Sequence, residues 1–557
     1  MGNAYQELQD IDRAIECYLQ AIAINPNFAE VYLNFGNALC NRGRFREAIP
    51  YLEKGLECRP EWAEIIAVLG NAYRDLGLTN EALQCYEKAI TIDGNNAIAL
   101  WNYHLMLPVI YSSEADIKQW RQRFIQGLNA ITKWVETASP KIALQGLGSI
   151  TSFYLQYQGQ NDRDLQQQFG RLSIEIMTKN YPQWTKNDRK KGDKHKLKIG
   201  FISMFWKEHT VAKLFRGWLE HLDHHYFDIY GYFTGKKADH FTTQIASCCH
   251  SFHHIFSSLE AIMQQIVQDE LDVLIFTDVG MCPTVDRIAA LKLAPIQCLA
   301  WGHPITSGLS TIDYFLSSEL MEPIGGEAHY TEKLVRLPGI GITYNFPDLP
   351  ARPKPRQDFN LHEDDVIYLS CQSLYKYLPQ FDFIFPSIAQ RVKRSRFVFI
   401  ESMHSEAVTH ILQKRLKDAF NSFGLNWQDY CLFVRRLTPT DYLSLNLASD
   451  VFLDTIEWSG GNTTLEAIAC GLPIVTMPGQ FMRGRHSYAM LQQMGMTETI
   501  GADLDSYIDI AVRLGNDQEW ITNIKQKIRQ NHHLLFNDPK PTEFLADFLS
   551  NLRTYAR

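Results

Sequence analysis

The chain has 557 residues, of which 45% are hydrophobic and 21% charged, a composition typical of folded protein, and this length predicts roughly three to four domains. Its 54 Lys and Arg against 62 Asp and Glu give a net charge of −8, which excludes the broadly basic surface expected for binding nucleic acid or an anionic membrane. We find neither an apolar run long enough for a membrane span nor a signal-peptide pattern, and we expect a cytoplasmic protein. The 11 cysteines contain no C-x-x-C pair, so the sequence predicts neither a zinc site nor a disulfide framework.

A 34-residue repeat occupies the front of the chain. The motif GNAY at Gly2 returns as GNAL at Gly36 and as GNAY at Gly70. Alanines keep the same register in the three units, at Ala14, Ala48 and Ala82. The pattern resembles the tetratricopeptide repeat and predicts stacked helical pairs over residues 1–103, which either extend a core or bind a protein segment on their concave face. Met1 directly precedes the first motif, so we expect an array that is truncated or that continues upstream.

The sequence of residues 104–196 has a helical pattern, which predicts a helical connector. It ends in a polar, lysine-rich linker, 185–196. Short β-rich runs then alternate with helix-length segments over residues 197–350. The runs begin at Leu197, Phe227, Leu271, Ile296, Asp313 and Lys333. Strands alternating with helices predict a parallel sheet that is covered by helices on both faces.

A proline-rich passage, Phe346–Phe359, predicts an interdomain linker, and a second series of runs follows within residues 351–557. These runs begin at Val366, Arg396, Cys431, Asp450 and Pro473. The last helix-like stretch, Pro541–Arg557, could brace either lobe. In open α/β sheets ligands bind outside the carboxyl ends of the strands, so we expect the chemistry in the loops that follow these runs.

The stretch WSGGNTTLEA follows the run at Asp450. Gly460 and Gly461 permit a tight turn there, and Asn462, Thr463 and Thr464 are good residues for starting a helix. A helix N-terminus offers free N–H groups and the positive end of a dipole, which together suit a phosphate. The alternative is a capped helix that binds no ligand. Glu466, one turn into this helix, could accept hydrogen bonds from ribose hydroxyls or simply face solvent.

Polar residues follow other strands as well. Gln372 and Lys376 follow the run at Val366, where the lysine could neutralise a leaving diphosphate or be an ordinary surface charge. His209 lies in the loop after the first strand of the first lobe, where it could bind or exchange a proton. A further loop suits either polar ligand contacts or turn formation through His303, Pro304, Thr306, Ser307 and Gly308.

Taken in order, these motifs resemble the O-linked N-acetylglucosamine transferase and SPINDLY family, glycosyltransferase family 41, over nearly the whole chain. The motifs are EHT at Glu208, GHPITSG at Gly302, QSLYK at Gln372, LDT at Leu453, GGNTTLE at Gly460 and PIVTMPG at Pro473. The resemblance implies an α plus α/β protein, in which tetratricopeptide repeats precede a GT-B fold of two Rossmann-like lobes. It also implies inverting, metal-independent transfer of a sugar from a uridine-diphosphate or related nucleotide donor to a protein side chain, without a cofactor. N-acetylglucosamine, glucose, fucose and other sugars remain open, as do serine, threonine and asparagine acceptors.

The resemblance places the donor on the second lobe. Lys376 matches the lysine that contacts the donor diphosphate, and Thr463 with Thr464 matches the hydroxyl pair at the phosphate-binding helix. Glu466 matches a ribose-binding acid, and Tyr442 falls where the family places a ring near the uracil. The full set of expected donor contacts is Gln372, Tyr442, Gly460, Gly461, Asn462, Thr463, Thr464 and Glu466.

His209 matches a histidine near the reacting centre, and we expect it to be catalytic together with Lys376. The residues expected on the sugar and acceptor side are Gln158, His303, Pro304, Thr306, Ser307 and Gly308. The departures from the animal enzymes are a histidine replaced by Asn462, an aspartate by Ala467, another histidine by Gln158 and a tyrosine by His303. In the repeats, Asn34 matches an inward asparagine that binds extended peptides, whereas Val68 occupies the corresponding position of the next unit.

Two other functions remain open: a repeat scaffold whose transferase region has lost turnover, and a GT-B enzyme that acts on a small molecule or a glycan. Two D-x-D sequences, Asp10–Asp12 and Asp503–Asp505, are possible metal ligands, but we interpret both as structural and the second as a helix cap. The sequence therefore predicts no metal site, and it does not indicate an oligomeric state.

Overall fold

A computed structural model describes residues 1–7, 10–185, 196–403 and 405–555. The predicted linker, 185–196, lies almost entirely outside these residues. The chain divides into two compact units. The first comprises Met1–Ile150 with Ser402–Gln413, and the second comprises Thr151–Glu401 with Lys414–Arg557.

The first unit is helical, as the repeat predicts. Its helices are α1 (Gly2–Glu7), α2 (Ile11–Ile24), α3 (Ala29–Asn41), α4 (Phe45–Cys58), α5 (Ala63–Asp75), α6 (Thr79–Ile92), α7 (Ala97–Leu105), α8 (Glu114–Thr137) and α9 (Pro140–Leu147). The repeated glycines lie where paired helices touch: a Cβ on Gly36 would lie 2.3 Å from Leu52, and one on Gly70 would lie 2.7 Å from Tyr86. Only glycine permits this approach, which explains why the motif recurs.

In the second unit, the first α/β lobe contains a parallel sheet of seven strands among the described residues, in the order β3-β2-β1-β4-β5-β6-β7. Its elements are α10 (Arg163–Asn180), β1 (Leu197–Ser203), α11 (Thr210–His221), β2 (Phe227–Phe233), α12 (His240–Ser247), β3 (Ser251–His254), α13 (Leu259–Asp269), β4 (Val273–Phe276), α14 (Pro283–Ala289), β5 (Ile296–Ala300), β6 (Tyr314–Ser318) and β7 (Lys333–Leu337). All six predicted runs form strands. The edge strand β3 was not predicted, because its sequence, SFHH, carries no β-rich run.

The second lobe contains a parallel sheet in the order β10-β9-β8-β11-β12. Its elements are β8 (Val366–Leu369), α15 (Ile384–Ala389), β9 (Ser395–Ile400), α16 (Glu406–Ser422, whose residues up to Gln413 belong to the first unit), β10 (Cys431–Val434), α17 (Pro439–Ala448), β11 (Val451–Leu453), α18 (Asn462–Ala469), β12 (Ile474–Val475), α19 (His486–Gln493), α20 (Leu504–Asn516), α21 (Gln518–Asn531) and α22 (Lys540–Tyr555). The predicted class, helical repeats followed by two parallel α/β lobes, is confirmed.

The C-terminal helix α22 packs on the first lobe. The hydroxyl of Thr542 lies 2.9 Å from that of Thr343, and the ring of Phe548 lies 5.2 Å from that of Tyr314 on β6. The chain therefore returns from the second lobe to brace the first. Within the described ranges, no helix has the length and apolar character needed to cross a membrane.

Candidate functional site

A cavity of about 460 Å³, here called the interlobe cavity, is lined by both lobes of the second unit. The first lobe contributes His209, Lys213, Trp301 and His303 to its wall. The second lobe contributes Gln372, Lys376, Asn462 and Thr463. Most of these residues follow strands β1, β5, β8 and β11, so the cavity lies at the sheet edges where parallel α/β proteins bind ligands.

A buried carboxylate, Asp454, organises the glycine-rich loop after β11. Its two oxygens accept hydrogen bonds from the Gly460 backbone N–H at 2.7 Å, the Ser459 hydroxyl at 2.6 Å and the Thr476 hydroxyl at 2.8 Å. Burial raises the pKa of Asp454, and the hydrogen bonds from Ser459 and Gly460 oppose that shift. The carboxylate thus determines the path of the loop into α18.

The start of α18 is compact and lacks a side-chain cap. A Cβ on Gly460 would lie 2.5 Å from both the Gln372 amide nitrogen and the Thr464 hydroxyl, so only glycine fits there. The N-cap residue, Gly461, makes no side-chain cap hydrogen bond. Because the N–H groups of a first helical turn have no partner within the helix, this end of α18 offers donors to an anion.

A chain of hydrogen bonds links the predicted lysine to this helix. The Lys376 ammonium donates to the Gln372 side-chain oxygen at 2.8 Å, and the Gln372 amide donates to the Thr463 hydroxyl at 2.7 Å. Burial lowers the pKa of Lys376 to about 8, and the charge of Asp454 opposes that shift. The lysine, the glutamine and the helix start therefore form one positive wall of the cavity.

On the first lobe, His209 caps α11. Its Nδ1 accepts the Val211 backbone N–H at 3.2 Å, and its ring stacks on Phe205 at 4.1 Å. Burial is the main cause that lowers the pKa of His209 to about 4, and the charges of Lys207, Arg436 and Lys213 contribute to the same shift. The imidazole is therefore neutral near pH 7, and because Nδ1 is an acceptor, the ring proton resides on Nε2.

The loop predicted on the sugar and acceptor side divides into two parts. His303 and Pro304 line the interlobe cavity, where the buried His303 ring stacks on Phe153 at 5.1 Å. Burial lowers the pKa of His303 to about 3. The hydroxyls of Thr306 and Ser307 instead donate to the Glu332 carboxylate. The backbone of Gly308 packs against α10, and a Cβ on this residue would lie 2.0 Å from the carbonyl oxygen of Gln166.

Three other predicted residues of the second unit lie just behind the cavity wall. The Tyr442 hydroxyl lies 3.0 Å from the sulfur of Cys371, which does line the cavity. Glu466 accepts a hydrogen bond from Lys213 at 2.8 Å. Gln158 is buried in the turn Phe153–Gln158, whose first residue is a cavity residue.

The remaining predicted residue, Asn34, belongs to the first unit. It lies on α3, and its amide donates to the side-chain oxygen of Asn3 at 3.1 Å. Asparagines of neighbouring repeats thus meet side by side on one face. Peptide binding by Asn34 stays a prediction.

Several residues of the interlobe cavity were not predicted from the sequence. Lys213 is one turn beyond His209 on α11, so the i, i+4 spacing is the signal that could have identified it. His486 begins α19, and its ring lies 5.3 Å from that of Trp301 on the first lobe. Contacts of this kind join segments far apart in sequence, and no local pattern indicates them.

Both D-x-D sequences contain helix caps. The Asp10 carboxylate accepts the Arg13 backbone N–H at the start of α2, and Asp503 forms a capping box at the start of α20. The structural interpretation of Asp503 as a cap is confirmed. Over the parts of the chain that the structure describes, no cluster of three or more His, Cys, Asp or Glu residues is arranged to hold a metal ion.

Comparison with known proteins identifies related families for both units. The family model "Glycosyl transferase family 41" matches residues 153–344 and 353–541. Two tetratricopeptide-repeat models match residues 2–43 and 27–95.

Individual relatives are distant. The chain is 25% identical over 358 residues to the probable UDP-N-acetylglucosamine–peptide N-acetylglucosaminyltransferase SPINDLY of Solanum lycopersicum. The aligned region covers 63% of this chain but only 38% of that protein. It is 24% identical over 290 residues to the UDP-glucose:protein N-beta-glucosyltransferase of Actinobacillus pleuropneumoniae, which covers 51% of this chain and 45% of that protein.

A solved structure shares the fold. It is a mutant of the Thermobaculum terrenum O-GlcNAc transferase, with a TM-score of 0.71 and 19% sequence identity, covering 99% of this chain and 95% of that one. At this identity the likeness establishes the architecture of repeats and two α/β lobes.

Proposed function

The chain belongs to glycosyl transferase family 41, and we propose that it transfers a sugar from a uridine-diphosphate donor to the side chains of proteins. The observation that carries this proposal is the positive wall of the interlobe cavity, formed by Lys376, Gln372 and the start of α18. Such a wall suits the diphosphate of a nucleotide sugar, because it combines an ammonium with free helical N–H groups.

The diphosphate is the leaving group of the reaction, so its growing negative charge must be stabilised. Lys376 is half-buried at the cavity wall, where a charge–charge interaction is stronger than in water. Preorganised donors of this kind contribute about 3–4 kcal/mol each to transition-state stabilisation in well-studied enzymes. Lys376 is held by Gln372 before the donor arrives, so little reorganisation is needed when the bond breaks.

His209 faces the same cavity from the first lobe as a neutral hydrogen-bond donor. Its Nδ1 is occupied by the Val211 N–H, which leaves the Nε2–H to donate to the sugar or to the acceptor. We assign it a positioning and electrostatic role in the transfer. The proton released by the acceptor is not assigned to its Nε2, which already carries one.

The overall reaction forms a C–O or C–N bond at the anomeric carbon and breaks the C–O bond to the diphosphate. The products are the glycosylated acceptor, UDP and one proton. The positive wall occupies one side of the cavity and His303 lies on the opposite lobe, so we propose attack from the side away from the diphosphate, with inversion. Because Lys376 and α18 supply the positive charge, we also propose that no metal is required, and we expect an excess of EDTA to leave the initial rate unchanged.

Protein acceptors are supported by the helical repeats and by the relatives, whose names describe transfer to peptide or protein. The Asn3 and Asn34 pair on one face of the repeats offers amide groups that can bind the backbone of an extended peptide. The sugar is proposed to be N-acetylglucosamine or another hexose, since the named donors of the relatives include both UDP-N-acetylglucosamine and UDP-glucose.

The proposal is tested by incubating the purified chain with a panel of UDP-sugars and a cell lysate, and by measuring both free UDP and sugar-labelled protein. We expect the native chain to label proteins with at least one donor, K376A to lose most of this activity, and K417A, which changes an exposed lysine on α16, to retain it. Equal UDP release and equal labelling by the native chain and K376A would contradict the proposal. Labelling of small acceptors alone would favour the glycan or small-molecule alternative, and UDP binding without any transfer would favour the scaffold.

A further inference from the structure

An ion pair crosses from one lobe to the other beside the interlobe cavity. The Lys213 ammonium, on α11 of the first lobe, donates to Oε1 of Glu466, on α18 of the second lobe, at 2.8 Å. The lysine side chain is 24% exposed and lines the cavity, whereas the glutamate side chain is only 8% exposed. Lys213 is therefore the one member of the pair that forms part of the cavity wall.

The Glu466 carboxylate is only half satisfied. Within the described part of the chain its Oε2 makes no hydrogen bond, although the group is buried. That oxygen can still accept hydrogen bonds from donors on a ligand. The hydroxyl groups of a ribose are such donors, and Glu466 lies one turn beyond the helix start that we propose for the diphosphate.

The charge of Glu466 also needs its partner. A lone carboxylate next to a bound diphosphate would repel it, because both are negative and the site is partly shielded from water. Lys213 cancels that charge. The same ammonium fixes the carboxylate by holding Oε1, which leaves Oε2 in a defined orientation.

Lys213 is itself well positioned. Its backbone N–H donates to the His209 carbonyl at 3.1 Å within α11, so the two side chains lie on consecutive turns of the same helix. A second hydrogen bond reaches α18 from the segment after β7, where the buried Tyr344 hydroxyl donates to the Asn462 side-chain oxygen at 2.7 Å. The lobes are thus held in register at the point where the pair forms.

We propose that Lys213 is a positioning residue of the donor site: it crosses from the first lobe, holds one oxygen of Glu466 and leaves the other to accept hydrogen bonds from the ribose hydroxyls of the nucleotide. The inference rests on the proposed function, since it requires a nucleotide in the interlobe cavity. It adds that recognition of the ribose depends on both lobes.

The test compares the binding of UDP with that of 2′,3′-dideoxy-UDP, by calorimetry, to the full chain. We expect the native chain to bind UDP about tenfold or more tightly than the dideoxy analogue. In K213M this ratio falls below about threefold, while K213R, which keeps the charge, retains most of it. For UDP-sugar turnover, K213M raises the donor KM about tenfold and changes kcat by less than about twofold.

A matched control is K292M. Lys292 also forms an ion pair in the first lobe, with Asp313 at 2.6 Å, and its side chain is 22% exposed, but it does not line the cavity. The control is expected to keep the native ratio. The double variant K213M/E466Q is expected to show the same ratio as E466Q alone, because both members act through one carboxylate.

The possible results distinguish a failure of the role proposed for Lys213 from a failure of the proposed function. A native chain that binds no UDP contradicts the proposed function itself. A native chain that binds UDP and prefers it to the dideoxy form, with K213M retaining that preference, overturns only the role of Lys213. Equal loss of preference in K213M and K292M also overturns it, since the effect would then come from general loosening of the lobe. If K213M does not fold, as judged by thermal unfolding, K213Q carries the same comparison.

Discussion

The replacement of Gly460 by alanine perturbs the positive wall with a single methyl group. Its Cβ would lie 2.5 Å from the Gln372 amide nitrogen, and ordinary contact begins at 3.4 Å, so the amide must retreat by about 0.9 Å. The hydrogen bond from Gln372 to Thr463, now 2.7 Å, then lengthens beyond the hydrogen-bonding range. Gln372 also holds Lys376, so we expect UDP binding to weaken by about 1.5–3 kcal/mol, or ten- to a hundredfold.

Gly461 provides the matched control. A Cβ at this position meets only the His486 ring, at 3.7 Å, which is an ordinary contact. Calorimetry with UDP is therefore expected to separate the two neighbouring glycines, with G461A within about threefold of the native affinity. Circular dichroism of G460A and G461A checks whether both variants are folded. Native affinity in G460A, or an equal loss in the two variants, would refute the reasoning that the Gln372 contacts hold the positive wall together.

Three further outcomes follow from the described contacts. The pKa of Lys376 is lowered to about 8, so its ammonium loses its proton as the pH rises through that value. The kcat/KM for the donor, measured against pH, should therefore fall above about pH 8. K376R, whose guanidinium stays charged, should keep a flat profile to about pH 9.5. In H209F, initial rates should drop about a hundredfold while UDP affinity, from calorimetry, stays within about twofold; a large loss of affinity would contradict the assignment of His209 to the sugar side. In D382A, Arg415 loses the buried carboxylate to which it donates at 2.6 and 2.8 Å. Urea denaturation should then show that the free energy of unfolding falls by about 3–5 kcal/mol. A fall of less than about 1 kcal/mol would contradict a stabilising role for this ion pair.

Local patterns were enough to predict most of the fold. Period-34 glycines, alternating β-rich runs and a proline-rich break depend on interactions between neighbours in sequence, and the corresponding helices and strands form where they were expected. The missed strand β3 shows the limit of this approach. Its sequence, SFHH, has low β-propensity, and it pairs because β2 presents an open edge to it, which is a tertiary effect.

The candidate site was predictable where a motif carried its own chemistry. Lys376, Gln372 and Thr463 lie in recognisable motifs, and the structure brings them into one hydrogen-bonded chain. Helical spacing from His209 could have indicated Lys213, but neither its pairing with Glu466 nor the contact of His486 with Trp301 could be predicted, because these partners lie on opposite lobes and are distant in sequence. Whether an isolated lysine or histidine belongs to a site depends on which residues surround it after folding.

The position of the nucleotide tests the account most directly, and a crystal structure of the chain with UDP would determine it. The account predicts that a phosphate oxygen lies within about 3.2 Å of the Lys376 ammonium, and that the first-turn N–H groups of α18 donate to the same diphosphate. A diphosphate bound elsewhere, or one that leaves Lys376 paired only with Gln372, would contradict it.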